Sequence, residues 1–152
     1  MFDGDNSNCT SIVAADANED DRSDIIIGNA YQHEQVLSNR GNGIFEELSA
    51  SFLDDSESSN TAVISAADVN GDAYIDLIIC SNNDFEQQNQ SLVNRGGDGT
   101  FLEEIDAFPS YENIKIINSI TVADMDGDGR VDILIGTSRN YYPNHLLLNQ
   151  PR

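Results

Sequence analysis

The chain has no tryptophan, three prolines, two cysteines, two histidines and seven basic residues in 152 positions. Each shortage closes off a class of function. Seven Lys and Arg against 27 Asp and Glu give a formal charge of −20, so the surface repels phosphate backbones and offers no basic patch to nucleic acid. Excess acid by itself need mean no more than solubility. The two histidines, His33 and His145, stand in no Cys-His or Ser-His spacing that would activate a nucleophile, and the chain is not expected to be an enzyme. His145 opens an expected strand and reads as structural. No run of 18 apolar residues is present, so no helix is expected to span a membrane. The start, Met1-Phe-Asp-Gly-Asp5, carries neither the charged nor the apolar region of a signal peptide, so a secreted form would have its leader removed or upstream.

What the chain has in excess is acid, and the acid is placed. The same loop is written three times: Asp16, Asn18, Asp20, Asp24; then Asp68, Asn70, Asp72, Asp76; then Asp124, Asp126, Asp128, Asp132. Oxygen side chains at positions 1, 3, 5 and 9 of a tight turn, with the position-7 backbone carbonyls of Arg22, Tyr74 and Arg130, supply most of the six to eight oxygens that Ca²⁺ takes. Up to three calcium ions are expected, and three would bring the charge to about −14. Gly71, Gly127 and Gly129 suit the left-handed turns of such a loop. The first copy has Glu19 and Asp21 at the equivalent places, which weighs against its occupancy. Asp, Asn and Gly gather in any turn, but three copies in register argue for a common chemical purpose.

These are not EF-hands. That motif needs a bidentate acid at position 12 and helices on both sides, whereas position 12 here is Ile27, Ile79 and Ile135. Each loop instead runs into a short apolar stretch, Asp24-Ile-Ile-Ile-Gly28, Asp76-Leu-Ile-Ile-Cys80 and Asp132-Ile-Leu-Ile-Gly136, which reads as a buried strand.

The loops recur after 52 and then 56 residues, a period that signals a solenoid or a propeller. Four strands are expected in each unit. One enters the loop (11–15, 62–67, 119–123) and one leaves it. A third covers 35–39, 90–94 and 145–149, and a fourth follows a Gly-rich turn around Phe45 and Phe101. The expected fold is all-β and propeller-type, with three four-stranded antiparallel blades at about 9–50, 60–106 and 117–152. The last blade lacks its fourth strand, which residues 1–5, with Phe2, or another chain would supply.

The loops, the Asp-Ile-Ile-Ile-Gly strand, and the segments Leu-Ser-Asn39-Arg-Gly-Asn-Gly-Ile-Phe45 and Leu-Val-Asn94-Arg-Gly-Gly-Asp-Gly-Thr-Phe101 resemble FG-GAP or VCBS repeats, the calcium-bearing blades of integrin-α-like propellers. The resemblance covers nearly the whole chain. It implies that the metal sits between the first and second strands of each blade, and that the module serves adhesion or recognition of proteins or glycans in an extracellular or other calcium-rich compartment. It also implies a ligand-facing side opposite the calcium loops. That side would carry Tyr31, His33, Phe85, Tyr141 and Tyr142, with Asn83 and Arg139 at matched positions, and the inter-blade segments 49–60 and 106–117. Aromatic and Arg side chains suit recognition, although they would equally serve to cover loop backbone.

Propellers have four to eight blades, so three require completion by further chain, by another copy or by a partner covering the exposed sheet edges. Two alternative functions follow: an accessory subunit docked in a larger assembly, and the propeller part of a polysaccharide-active enzyme. Cys80 stands where Gly28 and Gly136 stand in the other units and packs as a small hydrophobe, or else pairs with Cys9. Asn8-Cys9-Thr10 and Asn89-Gln90-Ser91 are glycosylation sequons.

Overall fold

A computed structural model describes residues 8–30, 34–48, 61–81, 90–94, 101–103, 117–137 and 143–149. These form three antiparallel sheets and no helix. Sheet 1 contains β1 (Asn8–Ala15), β2 (Asp24–Ala30), β3 (Gln35–Gly41) and β4 (Ile44–Leu48) in sequential order. Sheet 2 repeats the order with β5 (Thr61–Ala67), β6 (Asp76–Ser81), β7 (Gln90–Asn94) and β8 (Phe101–Glu103). Sheet 3 contains β9 (Ile117–Ala123), β10 (Asp132–Thr137) and β11 (His145–Leu147).

The all-β expectation holds, with two sheets of four strands and a third of three among the described residues. The described residues close no ring, and Phe2 lies outside them. β11 is shorter than the 145–149 expected: beyond Leu147 the Asn149 amide donates to the Asp132 carboxylate, not to a strand.

The apolar runs after the loops are explained by stacking. Successive side chains of a strand point to opposite faces, and β6 is covered on both. Leu77 and Ile79 pack toward sheet 1 with Ala17, Ile26, Val36 and Phe101. Ile78 and Cys80 pack toward sheet 3 with Ile117, Ile133 and Ile135. A middle sheet therefore has no polar face to alternate with, which is why Asp76-Leu-Ile-Ile-Cys80 reads as continuous apolar sequence.

The repeat extends to irregularities. Each first strand skips one residue against its partner, at Thr10, Ala62 and Asn118. At the first of these bulges the Thr10 hydroxyl reaches the Thr61 carbonyl at 2.6 Å, across the junction of sheets 1 and 2. The Ser11 hydroxyl accepts from the Ile64 amide at 3.0 Å across the same junction. Gly28 allows this closeness: a Cβ there would lie 2.7 Å from Thr61 Cγ2. Cys80, at the equivalent place, is buried and its thiol is free, with burial pushing its pKa up to about 12. It fills space as a small apolar group. Cys9 is exposed and also free.

Candidate metal centre

All three loops fold by the same hydrogen bonds. The first Asp accepts backbone amides from across the turn: Asp16 from Asp20 and Asp21, Asp68 from Gly71, Asp72 and Ala73, Asp124 from Gly127 and Gly129. At position 3, Asn18, Asn70 and Asp126 accept the amide two residues on at 3.1, 2.9 and 3.1 Å. Position 5 does the same, with Asp20, Asp72 and Asp128 accepting from Arg22, Tyr74 and Arg130 at 3.1, 2.9 and 2.9 Å. These Asx turns hold the side chains of positions 1, 3 and 5 against the backbone of their own turn.

Positions 4 and 6 bring the backbone into the left-handed region. Gly71, Gly127 and Gly129 take it, as the sequence suggests. So do Glu19 (φ 58°), Asp21 (φ 62°) and Ala73 (φ 75°). The first loop thus takes the same left-handed conformation at these two positions as the others despite having no glycine. Asp tolerates positive φ through local hydrogen bonding, whereas Ala gains nothing to offset its steric penalty.

Asp124, Asp126 and Asp128 each place a carboxylate oxygen within 4.8 Å of the others, a cluster able to hold a metal ion. The first two loops present two carboxylates and one amide oxygen at the same positions. An all-oxygen donor set suits Ca²⁺ or Mg²⁺ and not the softer transition metals.

The position-9 residues tie each loop to the rest of its sheet. Asp24, Asp76 and Asp132 are fully buried, and each spans two elements with its two oxygens. One accepts the position-2 amide of its own loop, from Ala17, Val69 and Met125 at 3.2, 2.9 and 2.8 Å. The other accepts the backbone amide of an asparagine in or just beyond the third strand, from Asn39, Asn94 and Asn149 at 2.8, 2.8 and 2.9 Å. The asparagine side chains then reach the preceding loop: Asn94 Nδ2 donates to the Ala17 carbonyl at 2.9 Å and Asn149 Nδ2 to the Val69 carbonyl at 2.7 Å. An unbroken relay of hydrogen bonds therefore joins the three loops. The sequence signal for it was an Asn two residues after a leucine in each third strand (Leu37, Leu92, Leu147).

The electrostatics of the loops differ. Desolvation by burial pushes Asp76 up to about 6, opposed by the Val69 and Asn94 amides and reinforced by the negative charges of Asp72 and Asp68. Asp132 is held below the usual carboxylate range by the Asn149 and Met125 amides, with Arg130 adding to the effect. The Arg130 guanidinium pairs with Asp128 and donates through Nε to the Asn149 carbonyl at 2.9 Å. Arg22 repeats this with Asp20 and, at 2.6 Å, the Asn39 carbonyl. Tyr74 takes that position in the second loop and brings no charge.

His145 opens β11, as expected, and Asn8 is exposed at the start of β1. Tyr31, His33, Asn83, Phe85, Asn89, Arg139, Tyr141 and Tyr142 lie outside the described residues, as do 49–60 and most of 106–117. No helix among the described residues is long and apolar enough to cross a membrane.

No curated protein matches the chain significantly. A family model described as an FG-GAP-like repeat matches residues 16–79 and again 68–135. Each match runs from the first Asp of one loop to the strand beyond the next, and together they cover most of the chain. The repeat that the sequence writes three times, and that the structure builds as three loop-bearing sheets, places this chain in the FG-GAP-like repeat family.

Proposed function

We propose that the chain is a calcium-stabilised, propeller-type module that serves adhesion or protein and glycan recognition without catalysis, in an extracellular or other calcium-rich compartment. The observation that carries the reading is the convergence of Asp124, Asp126 and Asp128, at positions that the other two loops fill with two Asp and one Asn. In each loop the ligands comprise the side chains at positions 1, 3, 5 and 9 and the carbonyl at position 7. The role of calcium is structural. Like charges held this close repel, and a divalent cation converts that repulsion into attraction available only to the folded state.

Thermal unfolding in calcium and in EDTA tests the reading. At a calcium concentration ten times Kd, each site adds about 1.4 kcal/mol to stability, so three sites together give a large rise in Tm. An equal Tm in both buffers refutes it.

A second reading, an accessory subunit within a larger assembly, is favoured by the apolar side chains Met125, Leu134 and Leu146, which sheet 3 leaves exposed. Co-purification at fixed stoichiometry distinguishes it from a free recognition module.

A further inference from the structure

The two internal junctions, sheet 1 to sheet 2 and sheet 2 to sheet 3, use the same positions on each side. The leading side of each junction contributes position 2 of the loop and the second residue after the last Asp, Val69 and Ile78 in sheet 2, and in sheet 1 a third-strand residue as well. In sheet 1 these are Ala17, Ile26 and Val36, all buried. The receiving side contributes Ile64, Leu77, Ile79 and Phe101 in sheet 2, and Ile120, Ile133 and Ile135 in sheet 3.

Both outer faces carry the same apolar positions without the cover. On sheet 3 the leading-side residues are Met125, Leu134 and Leu146, exposed by 38%, 40% and 50%. Leu134 and Leu146 are cross-strand partners, as Ile26 and Val36 are in sheet 1. On sheet 1 the receiving-side residues are Ile12, exposed by 63%, with Ile25, Ile27 and Phe45 half-buried. The relay of hydrogen bonds also has two matching ends. The next carbonyl in the series after Ala17 and Val69 belongs to Met125. The asparagine that starts the series is Asn39, whose side chain donates to Ser23 of its own loop at 3.1 Å. Asn149 makes the corresponding own-loop bond, to Val131 at 3.3 Å, while also reaching Val69, so one amide serves both.

We propose that the outer face of sheet 3 docks onto the outer face of sheet 1 of a second copy of this chain. The junction repeats the internal ones: Met125, Leu134 and Leu146 meet Ile12, Ile25, Ile27 and Phe45, and Asn39 of one copy donates to the Met125 carbonyl of the other. Two such junctions close a dimer of six sheets, within the four to eight blades of known propellers, and three copies would exceed that number. The surfaces are different on the two sides, so the contact is head to tail.

The test is the solution mass of the chain in millimolar calcium, by sedimentation equilibrium. The expected value is twice 16.6 kDa. Met125→Asp with Leu134→Asp breaks one face, and Ile12→Asp breaks the other. All three sites are exposed, and circular dichroism checks that both variants remain folded. Each variant alone is expected at monomer mass. An equimolar mixture regains the dimer mass at higher concentration, because each variant keeps the face that the other lacks. A wild-type chain that stays at 16.6 kDa at every concentration, or variants that dimerise as the wild type does, overturns the proposal. The result is separable from the calcium reading: a monomer that EDTA destabilises refutes the docking alone, and a dimer indifferent to EDTA refutes the calcium role alone.

Discussion

The second and third loops share one turn, one set of backbone hydrogen bonds and one buried bridging carboxylate, yet they hold that carboxylate in opposite electrostatic states. Asp76 is raised to about 6 and Asp132 is lowered. Burial is the largest influence on Asp76 and raises it, whereas backbone amides are the largest on Asp132, which takes a third from Asp126. A smaller part lies at position 7, where the Arg130 charge lowers Asp132, while the second loop has Tyr74 there and the charges of Asp72 and Asp68 raise Asp76. Geometry in these loops is written by the Asx turns, and the state of the bridging carboxylate by burial and backbone amides first and by charged neighbours after them.

The largest effect is expected on removing the bridges. Asp76→Ala and Asp132→Ala each leave two amides without their acceptor, at a cost of about 3 kcal/mol. In chelator at pH 7 the Asp132→Ala loss is expected to be the greater, because its ionised form is the favoured one. Urea denaturation of both variants measures this, and a greater loss for Asp76→Ala would break the comparison. Next in size is a reciprocal exchange at position 6, where φ is positive in both loops. Ala73→Gly is expected to raise stability by about 1 kcal/mol and Gly129→Ala to lower it by a similar amount.

Exchanging position 7 probes the charge directly. On the proposed calcium reading, the guanidinium that pairs with Asp128 competes with a cation for that carboxylate, whereas the backbone carbonyl proposed as the position-7 ligand survives substitution. Arg130→Tyr is expected to tighten calcium binding at the third loop, and Tyr74→Arg to weaken it at the second. Exposed ion pairs contribute roughly 0.2–1 kcal/mol, so each shift is up to about five-fold, read by calorimetric titration.

The dependence on pH separates the two carboxylates by sign. A carboxyl whose folded pKa is raised binds its proton more tightly when folded, so Asp76 makes metal-free stability fall as pH climbs from about 4 to about 6. Asp132 acts in the opposite sense, adding stability above its ordinary pKa that is lost as pH drops through its lowered folded value. Carbon-13 titration of the two carboxyl groups in EDTA separates them; two coincident curves near the ordinary carboxylate range would remove the distinction.

Much of this was legible in the chain. The loop spacing gave the turns, and the apolar runs after Asp24, Asp76 and Asp132 gave the second strands to within a residue or two. The left-handed residues were legible where they are glycine and hidden at Glu19, Asp21 and Ala73, because turn closure there overrides residue preference. The Leu-x-Asn spacing marks Asn94 and Asn149 themselves, but the partners of their side chains were hidden for a different reason. These contacts join residues 77 and 80 positions apart, and nothing in a local pattern records what a side chain meets at that separation.

Those two asparagines also bear on how the molecule comes apart. Each anchors its backbone in one loop and its side chain in the loop before, so a loop cannot lose its turn without releasing a donor that belongs to its neighbour. Stability in such an array is a matter of nearest-neighbour coupling more than of separate units. The coupling has a direction, since each sheet stitches down the loop of the sheet that precedes it. Damage to sheet 3 should therefore register first in the loop of sheet 2, and order imposed on one loop should be felt along the row.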